Sequence, residues 1–344
     1  MASFFDGTAM SASEKPQVAI IGTGLSGLAC ADGLAQDFEL SLFDKSRGLS
    51  GRLSTRRAQA HAFDHGAQYF RAESAAFQNW LQPFEAAGHV QRWTPRHVNF
   101  AADGTQSARE DAQPKLVFAP GMSAIGKALV AGRPQWKLYL DCGVEGVEGQ
   151  AGDWVLRVGE QRFGPFAHIV FAMPPTQIQA LLPVDTSFSA GLAKTQMVGC
   201  HTLMLGFGAD EALQLDWECA HFDDDVLGFA AVNSSKPGRG GELALVLQTK
   251  HDWSQAHIED EPEAVGATMK ARFEALTGGK ISASGYDRVH RWRYASTRQA
   301  GATPEQPYLR DAAQGLSAVG DWCSGSKVEH AFLSGAALAA SLSA

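Results

Sequence analysis

The sequence lacks features that mark two specialised classes of protein. No apolar stretch approaches the roughly 20 residues that cross a bilayer, which disfavours a membrane protein. The formal net charge is −8, so the basic surface that supplies most non-specific affinity for nucleic acids or anionic lipids is not expected. We therefore expect neither a nucleic-acid partner nor a membrane partner.

Cysteine is also scarce. The five cysteines are an odd number, lie far apart and form no C-x-x-C pair, which disfavours a disulfide framework or a zinc site. Residues 1–15 contain no basic start followed by an apolar stretch, so they are predicted to be a flexible tail rather than a signal peptide. Together these features predict a cytoplasmic protein with reduced thiols and no bound metal.

A glycine fingerprint follows the first apolar segment. The run Val18–Ile21 is typical of a buried parallel strand, and the predicted helix Leu25–Gln36 follows it. The turn between them reads Gly22, Thr23, Gly24, Leu25, Ser26, Gly27. Gly22 allows a tight turn, Gly24 allows the backbone to approach a pyrophosphate, and Gly27 allows close packing of helix on strand. The pattern predicts dinucleotide binding.

An acidic residue completes this unit. Asp44 ends the second predicted strand, 22 positions after Gly22, where a carboxylate can accept hydrogen bonds from an adenosine ribose. Lys45 and a loop with Gly51 and Arg52 follow. In flavoproteins of the amine-oxidase type, a Gly-Gly-Arg at this place lets the chain pass close to the cofactor, and the guanidinium can bind the diphosphate. Here Ser50 stands in place of the first glycine.

The C-terminal segment favours FAD over NAD. A predicted buried strand, Leu316–Val319, ends in Gly320 and Asp321, and an alanine-rich helix follows. In long-cofactor flavoproteins such an aspartate binds the ribityl chain, and the helix N-terminus favours the negative charge of a reduced flavin. Ser326 and Glu329 have the spacing of a capping box at this helix.

Several longer segments resemble bacterial renalases. They are Asp64–Phe70 (DHGAQYF), Arg291–Ala295 (RWRYA) and Val328–Gly335 (VEHAFLSG). The resemblance implies non-covalent FAD and oxidation of the 2- and 6-dihydro isomers of NAD(P)H to NAD(P)+. Hydride would pass to flavin N5, and O2 would reoxidise the flavin to give H2O2. The substrate would thus be a small dihydronicotinamide dinucleotide.

The resemblance also implies site residues. The pocket over the flavin would contain Gln68, Tyr69, Trp292, Tyr294 and His330. The expected cofactor contacts, with those of the fingerprint, are Gly22, Thr23, Gly24, Leu25, Ser26, Gly27, Asp44, Lys45, Gly51, Arg52, Gly66, Ala67, Gln68, Tyr69, Val144, Gly320, Asp321, Val328, Glu329 and Ala331. No acid–base pair is assigned, because a dihydropyridine donor needs no dedicated base and the flavin carries the chemistry.

The predicted fold is α/β, with a Rossmann-type FAD-binding domain like that of p-hydroxybenzoate hydroxylase. An α+β substrate domain, built on a mixed or antiparallel sheet, is inserted into it. Residues 16–75, 118–178 and 298–344 are assigned to the FAD-binding domain, and residues 76–117 and 179–297 to the substrate domain. Within this scheme, residues 136–147 are predicted to form a strand, and strands around 98–100 and 116–118 are predicted to flank a polar hairpin.

Other interpretations remain open at this stage. Trp292 and Tyr294 alternate on one strand face, which is also typical of plain core. His61 and His65 have helical metal-ligand spacing, but the residues between them favour strand or turn. Cys323 suggests a covalent flavin, against which the resemblance argues. The alternative functions are a flavin-dependent amine oxidase, a non-catalytic FAD-binding protein and an NAD-dependent dehydrogenase.

Overall fold

The structure is a computed structural model that describes residues 15–208, 213–281, 285–299 and 307–344. Apart from Lys15, the predicted flexible tail lies outside the described residues. The strands are β1 Gln17–Ile21, β2 Glu39–Phe43, β3 Thr55–Ala58, β4 His61–Asp64, β5 Val90–Trp93, β6 His97–Phe100, β7 Gln106–Ala108, β8 Lys115–Phe118, β9 Lys137–Tyr139, β10 Gly146–Gln150, β11 Asp153–Val158, β12 Gln161–Phe166, β13 His168–Phe171, β14 Gln196–Gly206, β15 Cys219–Phe222, β16 Leu227–Val232, β17 Ala244–Thr249, β18 Tyr286–Gln299, β19 Tyr308–Asp311 and β20 Leu316–Val319. The helices are α1 Leu25–Leu34, α2 Ala75–Ala86, α3 Ala124–Ala131, α4 Pro175–Gln179, α5 Ser189–Lys194, α6 His251–Ala256, α7 Pro262–Thr277 and α8 Val328–Leu342.

A six-stranded sheet in the order β19-β20-β13-β1-β2-β9 carries the glycine turn. Its pairs are parallel except for β19 with β20. Strands β1 and β13 are almost wholly apolar and buried, as expected where both faces of a parallel sheet are covered. Helices α1 and α8 pack closely because Gly335 has no side chain: a Cβ there would lie 2.1 Å from the carbonyl oxygen of Ser26.

A seven-stranded sheet in the order β18-β14-β17-β16-β15-β6-β7 forms the second layer. Only β15 and β6 pair in parallel, so this sheet is mixed, as predicted. Helix α7 covers one face, where Met269 and Phe273 join a core with Leu203 and Leu247. The opposite face bears Trp292, Cys200 and Gln248, among others, which line a cleft between the sheets.

Two local predictions were wrong. Residues 136–147 do not form one strand, because the short β9 and the strand β10 are separated by an irregular segment at 140–145. Strand β8 pairs with β5 and not with β6, whose partners are β15 and β7. Short strands with few residues carry too little pattern to specify their partners, which depend on distant contacts.

Candidate active site

A large cleft lies between the two sheets, with a volume of about 1020 Å³. That is at the upper end of the roughly 300–1,000 Å³ usual for small-molecule sites, so an extended ligand fits it. Most of the predicted site residues line it, namely Gly22, Gly24, Leu25, Ser26, Asp44, Lys45, Gly51, Arg52, Gly66, Ala67, Val144, Trp292, Tyr294, Gly320, Asp321, Val328 and Ala331. Segments far apart in the sequence therefore meet in one cleft.

The glycine turn forms one end of this cleft. Gly22 has φ +111°, and a Cβ there would lie 2.3 Å from the carbonyl oxygen of Ala172. A Cβ at Gly27 would lie 2.1 Å from the carbonyl oxygen of Gly22. Gly24, the N-cap of α1, would place a Cβ in open space, and α1 has no side-chain cap. The first backbone N–H groups of α1 thus face an open cradle of the kind that binds phosphate.

The loop at Ser50 passes directly against this turn. Ser50 forms an isolated parallel bridge with Gly24, and Gly51 would place a Cβ 3.1 Å from the Gly24 Cα. Ser50 has φ +83°, a region that favours glycine. Its buried hydroxyl donates to the Ser123 carbonyl oxygen at 3.1 Å and accepts from the Gly126 N–H at 3.2 Å. These two hydrogen bonds hold a serine in the backbone conformation of the glycine that the motif usually has.

Asp44 lines the cleft at the end of β2. One carboxylate oxygen accepts from the Thr23 N–H at 2.8 Å and from its hydroxyl at 2.7 Å. The other accepts from the Ser46 N–H at 2.8 Å. Thr23 therefore contacts the acid and not the cleft, and it fixes the carboxylate beside the glycine turn.

Arg52 and Asp321 bind each other. The guanidinium donates to the two carboxylate oxygens at 3.0 and 2.5 Å, and also to the Ala295 carbonyl oxygen at 3.0 Å. We predicted separate contacts, Arg52 with the diphosphate and Asp321 with the ribityl chain. Both side chains do line the cleft, but opposite charges at this distance form a bidentate pair. The pair ties the loop after β2 to the end of β20.

Strand β18 supplies an aromatic wall. His290, Trp292 and Tyr294 alternate along it and all line the cleft. The Trp292 indole donates to the His65 carbonyl oxygen at 2.8 Å and stacks on the His65 ring at 5.4 Å. His65 also meets His290 edge-on at 4.7 Å.

His65 and His290 are cleft residues that our sequence analysis did not assign as such. Burial lowers the pKa of each to about 4, and the charge of Arg56 adds to the effect. Both rings are therefore neutral at neutral pH. The alternation along β18 is a signal for His290. For His65 the sequence offers only metal-ligand spacing with His61, whose ring instead contacts the Phe207 carbonyl oxygen.

Some predicted residues do not line the cleft. Gln68 is buried: its amide donates to the Asp64 carbonyl oxygen at 2.5 Å, and its oxygen accepts from Lys236 at 3.0 Å. Tyr69 packs against Trp93 and Phe229 beyond the cleft wall. Because long-range packing decides which way a strand-end side chain turns, neither orientation was readable from the motif.

The start of α8 also differs from the prediction. The helix begins at Val328, so the predicted capping box of Ser326 and Glu329 does not form. The Glu329 carboxylate accepts instead from the N–H groups of Glu73 at 3.0 Å and Ser74 at 2.6 Å. The His330 ring accepts weakly from the Lys327 N–H at 3.4 Å. Val328 and Ala331, rather than Glu329 and His330, reach the cleft.

Two chemical alternatives find little support in the site. Cys323 is buried, and burial raises the pKa of its thiol to about 12, so it stays protonated and unreactive. Within the described ranges, no group of three or more His, Cys, Asp or Glu side chains is placed to hold a metal ion.

No helix among the residues that the structure describes has the length and hydropathy needed to cross a membrane.

Comparison with known proteins agrees with this architecture. Residues 20–84 match the family of NAD(P)-binding Rossmann-like domains. A protein from Exiguobacterium sp. 255-15 named for protoporphyrinogen oxidase is similar in structure, with TM-score 0.78, 11% identity, and coverage of 97% of this chain and 99% of that one. Cyclohexylamine oxidase from Brevibacterium oxydans is also similar in structure, with TM-score 0.71, 12% identity, and coverage of 95% of this chain and 98% of that one.

A third structure shows how little the fold says about the reaction. A fatty acid isomerase from P. acnes, which produces CLA, is similar in structure, with TM-score 0.72, 10% identity, and coverage of 96% of this chain and 99% of that one. The chain shares one fold with all three. At these identities the similarity shows the α/β fold with its dinucleotide-binding Rossmann-like domain and substrate domain, while the reaction must be argued from the site.

Proposed function

We propose that this protein binds FAD non-covalently and oxidises aberrant 2- and 6-dihydro isomers of NAD(P)H, as the resemblance to renalases suggests. The observation that carries the proposal is the continuity of the cleft. One end is the glycine turn with Asp44, and the other is the aromatic wall of β18 on the second sheet. A dinucleotide cofactor held at the first end can extend to a substrate held at the second.

The chain has groups that fit FAD along this cleft. The open cradle at Gly24 suits the diphosphate, and the Asp44 carboxylate beside it suits a ribose. The Arg52–Asp321 pair lies further along and would hold the remaining polar chain of the cofactor. Val328 and Ala331 place the start of α8 where its dipole would favour added negative charge.

Bound FAD would supply an acceptor for a hydride and, after reduction, a donor of electrons to O2. The residues of the chain position the donor and exclude water. Trp292 and Tyr294 offer flat apolar surface for a nicotinamide ring, and Trp292 is fixed by its hydrogen bond to the His65 carbonyl oxygen. His65 and His290 are neutral at pH 7, so they do not repel the cationic nicotinamide product.

The test is anaerobic mixing of purified holoprotein with 6-dihydroNAD. We expect the flavin absorption band at roughly 450 nm to bleach when the donor is added and to return when O2 is admitted, with formation of H2O2. Ordinary NADH, which is the 4-dihydro isomer, and cyclohexylamine serve as comparison donors in the same assay. A band that stays unbleached with the 2- and 6-dihydro isomers would overturn the proposal.

The alternatives give different spectra. Rapid bleaching by the amine would indicate an amine oxidase, and a flavin band that no donor bleaches would indicate a non-catalytic FAD-binding protein. Purified protein with no flavin band and no response to added FAD would instead favour an NAD-dependent dehydrogenase.

A further inference from the structure

A group of buried ions lies behind the part of the cleft wall that Gly66 and Ala67 form. It consists of Asp64, Lys236 and Arg239, whose side chains are all 0% exposed. One carboxylate oxygen of Asp64 accepts from the Lys236 ammonium at 3.3 Å and from the Arg239 guanidinium at 2.7 and 3.1 Å. We call these three residues the buried ion cluster.

The buried ion cluster carries one positive charge in excess. Among the described residues, Asp64 is the one carboxylate that pairs with either cation. Other contacts are with neutral groups, because Lys236 donates to the Asn233 side chain at 2.8 Å and Arg239 to the Pro237 carbonyl oxygen at 2.7 Å. Burial lowers the pKa of Lys236 to about 8, and the charge of Asp64 opposes the decrease, so the ammonium is mostly protonated at pH 7. The excess charge is costly in this position unless a negative charge approaches it.

A short chain of hydrogen bonds connects the cluster to the cleft wall. The Lys236 ammonium donates to the side-chain oxygen of Gln68 at 3.0 Å, and the Gln68 amide nitrogen donates to the Gly66 carbonyl oxygen at 3.2 Å. Since the oxygen and nitrogen of one amide are about 2.3 Å apart, the ammonium lies at most about 8.5 Å from the Gly66 carbonyl oxygen. Gly66 and Ala67 line the cleft, so the excess charge lies directly behind its surface.

We propose that the buried ion cluster favours the reduced form of the bound flavin through its excess positive charge. The inference rests on the proposed function only in that FAD occupies the cleft with its ring beside Gly66 and Ala67. A flavin that accepts a hydride gains two electrons and one proton, and therefore one negative charge. A fixed cation in a site without water stabilises charge that develops in a reaction. The three side chains of the cluster lie outside the cleft lining, so they act on the ring by their charge and not by contact.

The expected size of the effect follows from the distance. A ring in contact with Gly66 adds one van der Waals contact to the hydrogen-bond chain, so it would lie about 12 Å from the Lys236 ammonium. At that separation and an effective dielectric constant of about 20, one unit charge changes the equilibrium between oxidised and reduced flavin roughly tenfold. An exposed cation has a smaller effect, because water and salt screen its charge.

The test is the reduction potential of the flavin in the holoprotein at pH 7, measured by slow chemical reduction beside a reference dye, without any substrate. Lys236→Met removes one buried charge and should move the equilibrium about tenfold towards oxidised flavin, which for two electrons lowers the potential by about 30 mV. Arg239→Gln also removes a charge but keeps a hydrogen-bond donor for Asp64. It should lower the potential as well, and it is the second variant if Lys236→Met does not fold.

Two controls separate charge from structure. Gln68→Met keeps every ion of the cluster and loses the hydrogen-bond chain, so it should shift the potential less than Lys236→Met does. Lys194→Met removes an exposed charge on α5 and should keep the wild-type potential. An unchanged potential in the charge variants, or an equal shift in Gln68→Met, overturns the inference. Protein that binds no FAD overturns the proposed function as well, whereas bound flavin that no dinucleotide reduces overturns only the proposed reaction.

Discussion

The glycines of the β1–α1 turn are constrained in different ways, although they belong to one motif. Gly22 and Gly27 are packed against backbone oxygens, so any side chain there forces the turn and α1 apart. Gly24 is not packed at all, and its φ of −67° suits other residues. The packing therefore requires glycine at positions 22 and 27, whereas at position 24 we expect glycine to matter for the approach of a ligand.

This difference predicts that adding one methyl group at Gly27 mainly reduces stability, whereas adding one at Gly24 mainly reduces FAD affinity. Gly27→Ala should destabilise the protein by about 1–3 kcal/mol, the usual cost of overpacking. Gly24→Ala should cost the apoprotein less than Gly27→Ala, because its Cβ meets no other atom and only the N-cap preference for glycine is lost, but it should weaken FAD binding by restricting the approach of the diphosphate. Urea unfolding of the apoproteins and fluorimetric titration with FAD measure the two effects, with Gly240→Ala, at an exposed loop glycine with no atom near its Cβ position, as the control. Equal stability losses at positions 24 and 27 would contradict this reading of the turn.

At the scale of elements, Glu329 joins helices that are distant in sequence. Its carboxylate, near the start of α8, accepts from two N–H groups just before α2. Burial opposes its ionisation, yet the hydrogen bonds from Ser74 and Glu73 keep the pKa of Glu329 below its usual value. The contact thus stabilises the protein above the unfolded pKa and is lost as pH falls through the lower, folded pKa.

Glu329→Gln is the corresponding test. The amide keeps the shape of the side chain but weakens acceptance of the two N–H groups, so we expect a loss of about 1–3 kcal/mol at pH 7. Chemical denaturation at pH 7 measures it, and Glu145→Gln, whose exposed pair with Arg157 should contribute little, is the control. A Glu329 variant as stable as the Glu145 variant would show that the link between α8 and α2 is unimportant.

At the scale of the whole molecule, buried histidines link stability to pH. Burial lowers the pKa of His65, His97, His168, His201, His221 and His290 from 6.5 to about 4. Between these values the unfolded chain binds protons that the folded chain does not, so the free energy of unfolding must decrease as pH falls from about 6.5 to about 4.

Denaturant unfolding at several pH values between 7 and 4.5 should therefore show a steadily falling midpoint. His168→Asn removes one such group, from the contact with Ser317 between β13 and β20, and should reduce the slope. His251→Asn, at an exposed site, should not. A midpoint that stays constant over this range would mean that the folded and unfolded chains bind protons equally, and so that burial does not lower the pKa of these rings.

The cleft is also a feature of the whole molecule, because residues of both sheets line it. The predicted Rossmann-type fold with a mixed second sheet is confirmed. The division of the chain into domain segments and the roles of the site residues remain predictions. Most of the residues predicted to contact a cofactor do line the cleft, because each lies in a short motif whose backbone geometry depends on neighbouring residues alone.

Local sequence alone is enough to specify the β1–turn–α1–β2 unit. The spacing of Gly22, Gly24, Gly27 and Asp44 specifies a geometry that about thirty consecutive residues can form. The tertiary structure decided the pairing of Arg52 with Asp321, the turning of Glu329 towards α2, and the meeting of His65 with Trp292. Each of these contacts joins residues more than two hundred positions apart, so they depend on how the sheets and helices pack, which no local pattern encodes.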